Sequence, residues 1–267
     1  NTDGARLVRA EGQQVRVPVR ASADPRDFAG ARLVLVLVKS WQTERVAALL
    51  QLCLAEDGLV LTLQNGLGNR ELLAEHLGTE RVVLGSTTYG ATLLGPGLVR
   101  AGGEGSISIE RHERLEPLHR ALSRAGFRVE LVPDARVLIW SKLVVNSAIN
   151  PLTAILRVPN GQLLERPTAL RLLHALARET AAVARAENIP LSSTDPEQLA
   201  ESVARGTAAN HSSMFQDIQR GAPTEIDAIC GAVTIAGLRH SVPTPLNSAC
   251  WQLVRALAEA PRGSAHA

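Results

Sequence analysis

The sequence has 267 residues, 45% of them hydrophobic and 20% charged, with a formal net charge of +2. That length and balance suit one large or two medium globular domains and exclude a disordered, collagenous or disulfide-stapled chain. The small net charge and an aromatic content of 3% give no footing for nucleic acid, and the longest apolar run, residues 33–38, falls far short of the roughly 20 residues of a membrane span.

Residues 31–38 form a short apolar, β-branched run that reads as a strand. Residues 44–55 carry helical spacing, 59–63 read as a second strand, 70–77 as a helix and 82–86 as a third strand. The glycines of 95–97 and 102–105 bracket hairpin-like strands, including 106–110. A helix over 113–125 and a strand over 127–132 complete this half. Short continuous apolar strands that alternate with helices imply a mostly parallel sheet covered on both faces. From Pro133 the strand pattern stops. Helical periodicity then covers 136–149, 167–187, 196–209, 212–220, 225–239 and 246–260, and 261–267 reads as a frayed polar tail. The expected division falls near Pro133–Asp134: residues 1–134 as a mostly parallel sheet with helices, and residues 135–267 as an all-helical unit.

The three cysteines, Cys53, Cys230 and Cys250, stand far apart, so they read as reduced thiols of a cytoplasmic protein rather than as a metal or disulfide set. No signal-peptide pattern opens the sequence. The only methionine is Met214, so Asn1 reads as a position inside a longer chain. Among 28 basic Lys and Arg residues only Lys39 and Lys142 are lysines. A chain that otherwise uses arginine for positive charge marks these two as places for a compact, titratable ammonium; the alternative is two surface lysines without a role.

Lys39 follows the first strand run, and Asn65 follows the second. In an open parallel sheet ligands bind beyond the carboxyl ends of the strands, so a cation and an amide are offered to one crevice. Turn chemistry also accounts for Asn65-Gly66. The segment Gly66-Leu67-Gly68 is not a dinucleotide fingerprint, because Glu71 stands where the third glycine belongs. Lys142, Asn146 and Asn150 recur at i, i+4 and i+8, which puts three polar groups on one face of an apolar helix; a solvated face is the plainer alternative. Pro151 should bias Asn150 out of helical geometry. Asn210, Ser213 and Asp217 also share a face, with Ser212 or Asn210 available as a cap and Gly221 as a stop. Thr224 with Asp227 is a helix-start signature, which leaves Glu225 free for chemistry or for the helix dipole.

The run Trp140-Ser141-Lys142-Leu143-Val144-Val145-Asn146-Ser147-Ala148-Ile149-Asn150-Pro151-Leu152-Thr153-Ala154 resembles the core motif of the ketopantoate reductase (2-dehydropantoate 2-reductase) family. So does Pro159-Asn160-Gly161 downstream. Ser212-Ser213-Met214 through Asp217, followed by Thr224-Glu225-Ile226-Asp227, is similar to the family's second motif. Leu37-Val38-Lys39-Ser40-Trp41-Gln42 and Gln64-Asn65-Gly66 resemble its cofactor-domain motifs.

The resemblance implies a truncated Rossmann-like domain followed by a helical domain like the C-terminal part of 6-phosphogluconate dehydrogenase. It implies NADPH-dependent reduction of 2-dehydropantoate to (R)-pantoate, on the route to pantothenate and coenzyme A. Lys142 and Glu225 would be catalytic, with Lys142 as general acid. Asn65, Asn146, Asn150, Asn160, Asn210 and Ser213 would contact substrate. Lys39, Asn65, Ala91 and Glu225 would line NADPH. The partner is a small 2-oxo acid, with no nucleic acid, membrane or metal, and a homodimer is compatible. Asn1-Thr2-Asp3-Gly4 resembles the stretch just after the family's second strand, so about 30 residues of a strand–turn–helix–strand unit are expected upstream. Two alternatives stay open: a paralogue that reduces another branched 2-oxo acid, and a non-catalytic dimerising subunit that lacks the nucleotide loop.

Overall fold

The computed structural model describes residues 4–9 and 12–259. The expected tail at 261–267 and residues 1–3 of the amino-terminal resemblance lie outside them. The chain forms two compact units. The first takes the chain up to Leu37 together with Glu44–Gln64 and Arg70–Ala135. The second takes everything from Arg136 on and two short segments, Val38–Thr43 and Asn65–Asn69.

The first unit holds two sheets. Strands β1 (Ala5–Val8), β2 (Gln14–Val17), β6 (Ala91–Gly95) and β7 (Leu98–Ala101) form one, in the order β2-β1-β7-β6. β1 and β2 have four residues each and each is interrupted by one arginine, so no long apolar run betrays them in the sequence. The other sheet runs β3-β4-β5-β8-β9, built from β3 (Ala31–Val36), β4 (Leu54–Thr62), β5 (Val82–Thr87), β8 (Ile107–Glu110) and β9 (Val129–Val132). β3, β4 and β5 are parallel, β8 is antiparallel to β5, and β9 is parallel to β8. Helices α1 (Thr43–Leu50), α2 (Asn69–Leu77) and α3 (Glu116–Arg124) connect them. Leu59, Leu61, Leu63, Val83, Ile107, Ile109 and Leu115 form the buried centre.

The helix expected over 44–55 stops at Leu50, and β4 begins at Leu54 instead of 59. Two backbone turns, Leu52 N–H to Leu49 and Cys53 N–H to Leu50, close the helix, and the Cys53 carbonyl then accepts the Ala31 N–H at 2.9 Å. β4 thus meets β3 early, at Ala31↔Leu54, and slips register before Leu33↔Leu59. Gly58 sits at the slip. A Cβ there would lie 2.9 Å from the Ala31 carbonyl oxygen.

The second unit is helical: α4 (Arg136–Leu156), α5 (Gln162–Glu165), α6 (Pro167–Ala186), α7 (Pro196–Gly206), α8 (Ser213–Arg220), α9 (Ala232–Arg239) and α10 (Pro245–Glu259), with a π-helical turn at Asp227–Gly231. α4 is the axis and packs against α6, α7, α8 and α10. Its faces are buried nearly all round, including Leu143, Val144, Ala148, Ile149 and Leu152. Among the described residues no helix is long and apolar enough to cross a membrane.

Pro151 does not end α4, contrary to the sequence expectation, and Asn150 stays helical. A proline in a helix leaves the carbonyl four residues back without its N–H donor. Here that carbonyl belongs to Ser147, and the Cys230 thiol donates to it at 3.8 Å. Burial pushes the Cys230 thiol well above its ordinary value, so it keeps the proton it donates. Cys230→Ala should therefore destabilise the fold by about 1–3 kcal/mol in urea denaturation, from the lost donor and a small cavity. Adding Pro151→Ala, which restores a backbone N–H to Ser147, should recover part of that loss.

Candidate active site

The site is built around Glu225, which is 5% exposed. Its Oε1 accepts the Ser40 N–H at 3.1 Å, and its Oε2 accepts the Asn65 side-chain amide at 3.3 Å. Lys39 Nζ lies 3.6 Å from the same Oε2 and 2.8 Å from Asp217 Oδ2. Asp217, buried one turn into α8, therefore holds Lys39 more closely than Glu225 does. Two loops converge on the carboxylate. Lys39 begins the 3-10 turn Ser40–Gln42 in extended geometry, which turns the Ser40 N–H toward Glu225. A buried relay fixes the second loop to the first: Thr43 Oγ1 donates to Asn69 Oδ1 at 2.8 Å, and Asn69 Nδ2 to the Asn65 carbonyl at 2.9 Å.

Gly66 is the permissive residue of that second loop. Its φ of +81° is left-handed, and a Cβ would stand 2.4 Å from the Ala228 carbonyl oxygen. That carbonyl accepts the Leu67 N–H at 2.9 Å, so the turn that presents Asn65 is pressed against the chain three residues past Glu225. The spacing read as turn chemistry is therefore a turn and a docking element together.

Lys142, on α4, is half-buried. Burial pushes its ammonium below its ordinary value, and the negative Glu225 pulls it partly back. Asn146 and Asn150 follow along α4. Asn150 is buried, Asn146 is half-buried, and neither side-chain amide is engaged by another described residue. Asn160 is buried, with its Nδ2 donating to Thr207 Oγ1 at 2.9 Å and its Oδ1 left without a partner. Its backbone N–H donates to the Asn210 carbonyl and Gly161 N–H to Ala208, both at 3.0 Å. A Cβ on Gly161 would meet the Ala208 Cβ at 2.6 Å, so only glycine lets these strands of loop close.

Lys39, Asn65, Lys142 and Glu225 are thus brought together by direct bonds or by charge. Asn146 and Asn150 share a helix with Lys142. Asn210 does not share a helical face with Ser213 and Asp217, because α8 begins at Ser213, capped by Ser212, whose Oγ accepts the Phe215 N–H at 3.1 Å. Asn210 and Ser213 are exposed, and Ala91 is an exposed residue of β6 in the first unit. Asp227 is no cap: Thr224 Oγ1 accepts the Ile226 N–H at 3.4 Å, and the Asp227 carboxylate goes to the Trp251 indole. Two participants were not legible. Ser40 acts through its backbone N–H, which no side-chain pattern reveals. Asp217 showed only as part of a face, with nothing in the sequence to link it to a lysine 178 residues away.

Among the described residues no three His, Cys, Asp or Glu side chains gather to hold a metal ion. A dinucleotide fits better: Lys39, one-third exposed, and Asn65 sit just past the ends of β3 and β4 in the chain, as a cation and an amide suited to an anionic, amide-bearing ligand.

A Rossmann-like sheet unit followed by a helical unit with a lysine set against a buried carboxylate defines a class, the two-domain nicotinamide-dependent oxidoreductases. Within that class the chain belongs to the ketopantoate reductase family. Residues 1–114 match the family profile described as Ketopantoate reductase PanE/ApbA, and residues 134–258 match its C-terminal counterpart. The 2-dehydropantoate 2-reductase of Halobacterium salinarum is 38% identical over 95% of this chain and 84% of its own length. A crystal structure of a PanE/ApbA family ketopantoate reductase from Ralstonia eutropha superposes with a TM-score of 0.90 at 33% identity, covering 96% of this chain and 85% of that one. A D-mandelate dehydrogenase in ternary complex with NADH and anilino(oxo)acetate superposes at 0.85 with 27% identity, over 96% and 85% of the two chains.

Gly66→Ala should break the Asn65 turn, because the new Cβ meets backbone that cannot yield. We expect a stability loss of about 1–3 kcal/mol in chemical denaturation, from the left-handed φ and the displaced loop.

Proposed function

We propose that this protein reduces 2-dehydropantoate to (R)-pantoate, with Lys142 as the acid that delivers the proton. The protein is an oxidoreductase of the ketopantoate reductase family, and its cofactor is a nicotinamide dinucleotide. The observation that carries the residue assignment is the half-buried Lys142, whose ammonium feels the charge of Glu225, on the helix that also bears Asn146 and Asn150. NADPH is the form we assign, on the family resemblance. When bound, the cofactor supplies hydride to the ketone carbon.

The chain's own residues do the rest. Lys142 donates a hydrogen bond to the ketone oxygen and then gives up that proton as negative charge develops on the oxygen. Glu225 keeps the ammonium charged against the penalty of burial. The Asn146 and Asn150 amides have donors and acceptors free for the substrate's carboxylate and hydroxyl. Asn160 offers its unpartnered Oδ1, and Asn65, Asn210 and Ser213 complete the substrate set. Lys39, Asn65 and Glu225 face the cofactor; Ala91 joins them by resemblance alone. On this reading residues 1–134 serve the cofactor and 135–267 the substrate, and the enzyme works in the cytoplasm in the synthesis of pantothenate and coenzyme A.

A panel of 2-oxo acids, assayed with NADPH and with NADH, tests the reaction. Here 2-dehydropantoate with NADPH should show the highest kcat/KM. An acid without the 4-hydroxyl, such as an aryl 2-oxo acid of the kind a mandelate dehydrogenase handles, should fall at least about 100-fold lower. Preference for such an acid overturns the substrate assignment.

The acid role gives a signed pH dependence. Reduction needs protonated Lys142, so the rate falls as pH rises through a pKa that burial has lowered. Glu225→Gln removes the negative charge that raises this pKa, so the alkaline limb should move to lower pH. Lys142→Ala should cut kcat by at least about 100-fold, and Lys142→Arg should rescue poorly because guanidinium scarcely releases a proton. Near-full activity of the arginine variant would reduce the lysine to a fixed charge.

A further inference from the structure

Glu225 stands two residues before the π-helical turn Asp227–Gly231. Its carbonyl accepts the Ile229 N–H at 3.1 Å, and the Ile226 carbonyl accepts the Gly231 N–H at 3.0 Å, five residues on. A turn this wide is rare and intrinsically weaker than α-helix, so its shape depends on what braces it from outside. One brace is the Leu67 N–H on the Ala228 carbonyl. The other comes from α10: the Trp251 indole Nε1–H donates to Asp227 Oδ1 at 2.6 Å. The Trp251 ring lies against Gly231, at the far end of the same turn. A Cβ on residue 231 would fall 2.8 Å from Cε2 and 3.0 Å from Nε1 of that ring. One side chain thus clamps both ends of the turn, the first by a hydrogen bond and the last by contact.

The bond to Asp227 is exposed, where a hydrogen bond adds little to folding because water competes for both partners. Its consequence is geometric. Asp227 is two residues from Glu225, whose carboxylate must meet the Ser40 N–H and Asn65 amide beside Lys39 while its charge acts on Lys142. The helix-start signature would spend the Asp227 carboxylate on its own backbone; the structure sends it to α10 instead.

We propose that Trp251 is a positioning residue for the reaction, holding Glu225 in place through Asp227. The proposal rests on the reading of Glu225 given under Proposed function. Trp251→Phe keeps an aromatic ring over Gly231 and removes only the N–H. The test is a double-mutant cycle in steady-state kinetics on wild type, Trp251→Phe, Glu225→Gln and the combination, with thermal midpoints measured alongside. Trp251→Phe should lower kcat about tenfold, the cost of a modest misplacement, with KM for the 2-oxo acid within about twofold. Its thermal midpoint should stay within about 4 °C of wild type. In the Glu225→Gln background the same change should lower kcat no further. Asp227→Ala, at an exposed position, should reproduce the loss and not add to Trp251→Phe, and it serves where the phenylalanine variant fails to fold. Wild-type kcat in Trp251→Phe beside an impaired Glu225→Gln overturns the proposal and leaves the reading of Glu225 standing. An equal loss in both backgrounds overturns it too, because the ring would then act independently of Glu225. A fully active Glu225→Gln removes the reading of Glu225 itself, and the proposal with it.

Discussion

A carboxylate as deeply buried as Glu225 must be surrounded by donors and cations, since burial of an uncompensated charge costs several kcal/mol. Much of the local architecture of the second unit serves that requirement. The segments Val38–Thr43 and Asn65–Asn69 cluster with the helices because each sends a donor to this one side chain. Gly66 is glycine because Asn65 reaches Glu225 only if the turn behind it comes within bonding distance of Ala228. Asp217 holds Lys39 more closely than Glu225 does, and the charge of Glu225 also offsets part of the burial penalty on Lys142.

The second constraint is the rigidity of α4. One helix carries Lys142 and two amides, so their spacing is set by helical geometry rather than by loops. Keeping the helix intact past Asn150 requires a solution for Pro151, and the solution is borrowed from elsewhere: a thiol from the π-helical turn satisfies the Ser147 carbonyl, while Thr153 Oγ1 donates to the Ser212 hydroxyl at 2.7 Å. The same Ser212 oxygen caps α8. The helix with Lys142 and the helix with Asp217 are therefore joined by a buried hydroxyl pair.

The strands β3 and β5 were legible because they contain continuous apolar runs, β8 because glycine-rich segments bracket it, and the long helices because their apolar positions recur with period 3.6. Failures were of two kinds. β1 and β2 are short and each is broken by an arginine, and β4 begins inside what looks like a helix because Leu52 and Cys53 keep the helical apolar spacing through a turn. Pro151 misled because a local rule was overridden by a tertiary donor that lies 83 residues away. At the site, rarity was the useful signal: Lys39 lies 3.6 Å from Glu225, and Lys142 feels its charge. Helical spacing grouped Lys142, Asn146 and Asn150 correctly but overreached at Asn210, where the chain is not yet helical. Contacts made by backbone N–H groups, and pairings across more than 150 residues such as Asn65 with Glu225, leave no trace in a one-dimensional pattern.

The three cysteines give the protein an internal chemical clock. All are free and buried, one in the first unit and two in the second. Burial raises the thiol pKa of each, that of Cys250 to about 11, where the nearby Glu179 adds to the effect. At neutral pH the folded chain therefore offers almost no thiolate to a disulfide reagent, whereas an opened segment recovers ordinary reactivity. At reagent concentrations high enough that capture outpaces reclosing, each thiol is captured at the rate at which its surroundings open, counted separately for the sheet and for the helices. Because the Cys230 proton is also the one that satisfies the Ser147 carbonyl, capture of that thiol records the moment at which the helix bearing Lys142 loses its lateral support.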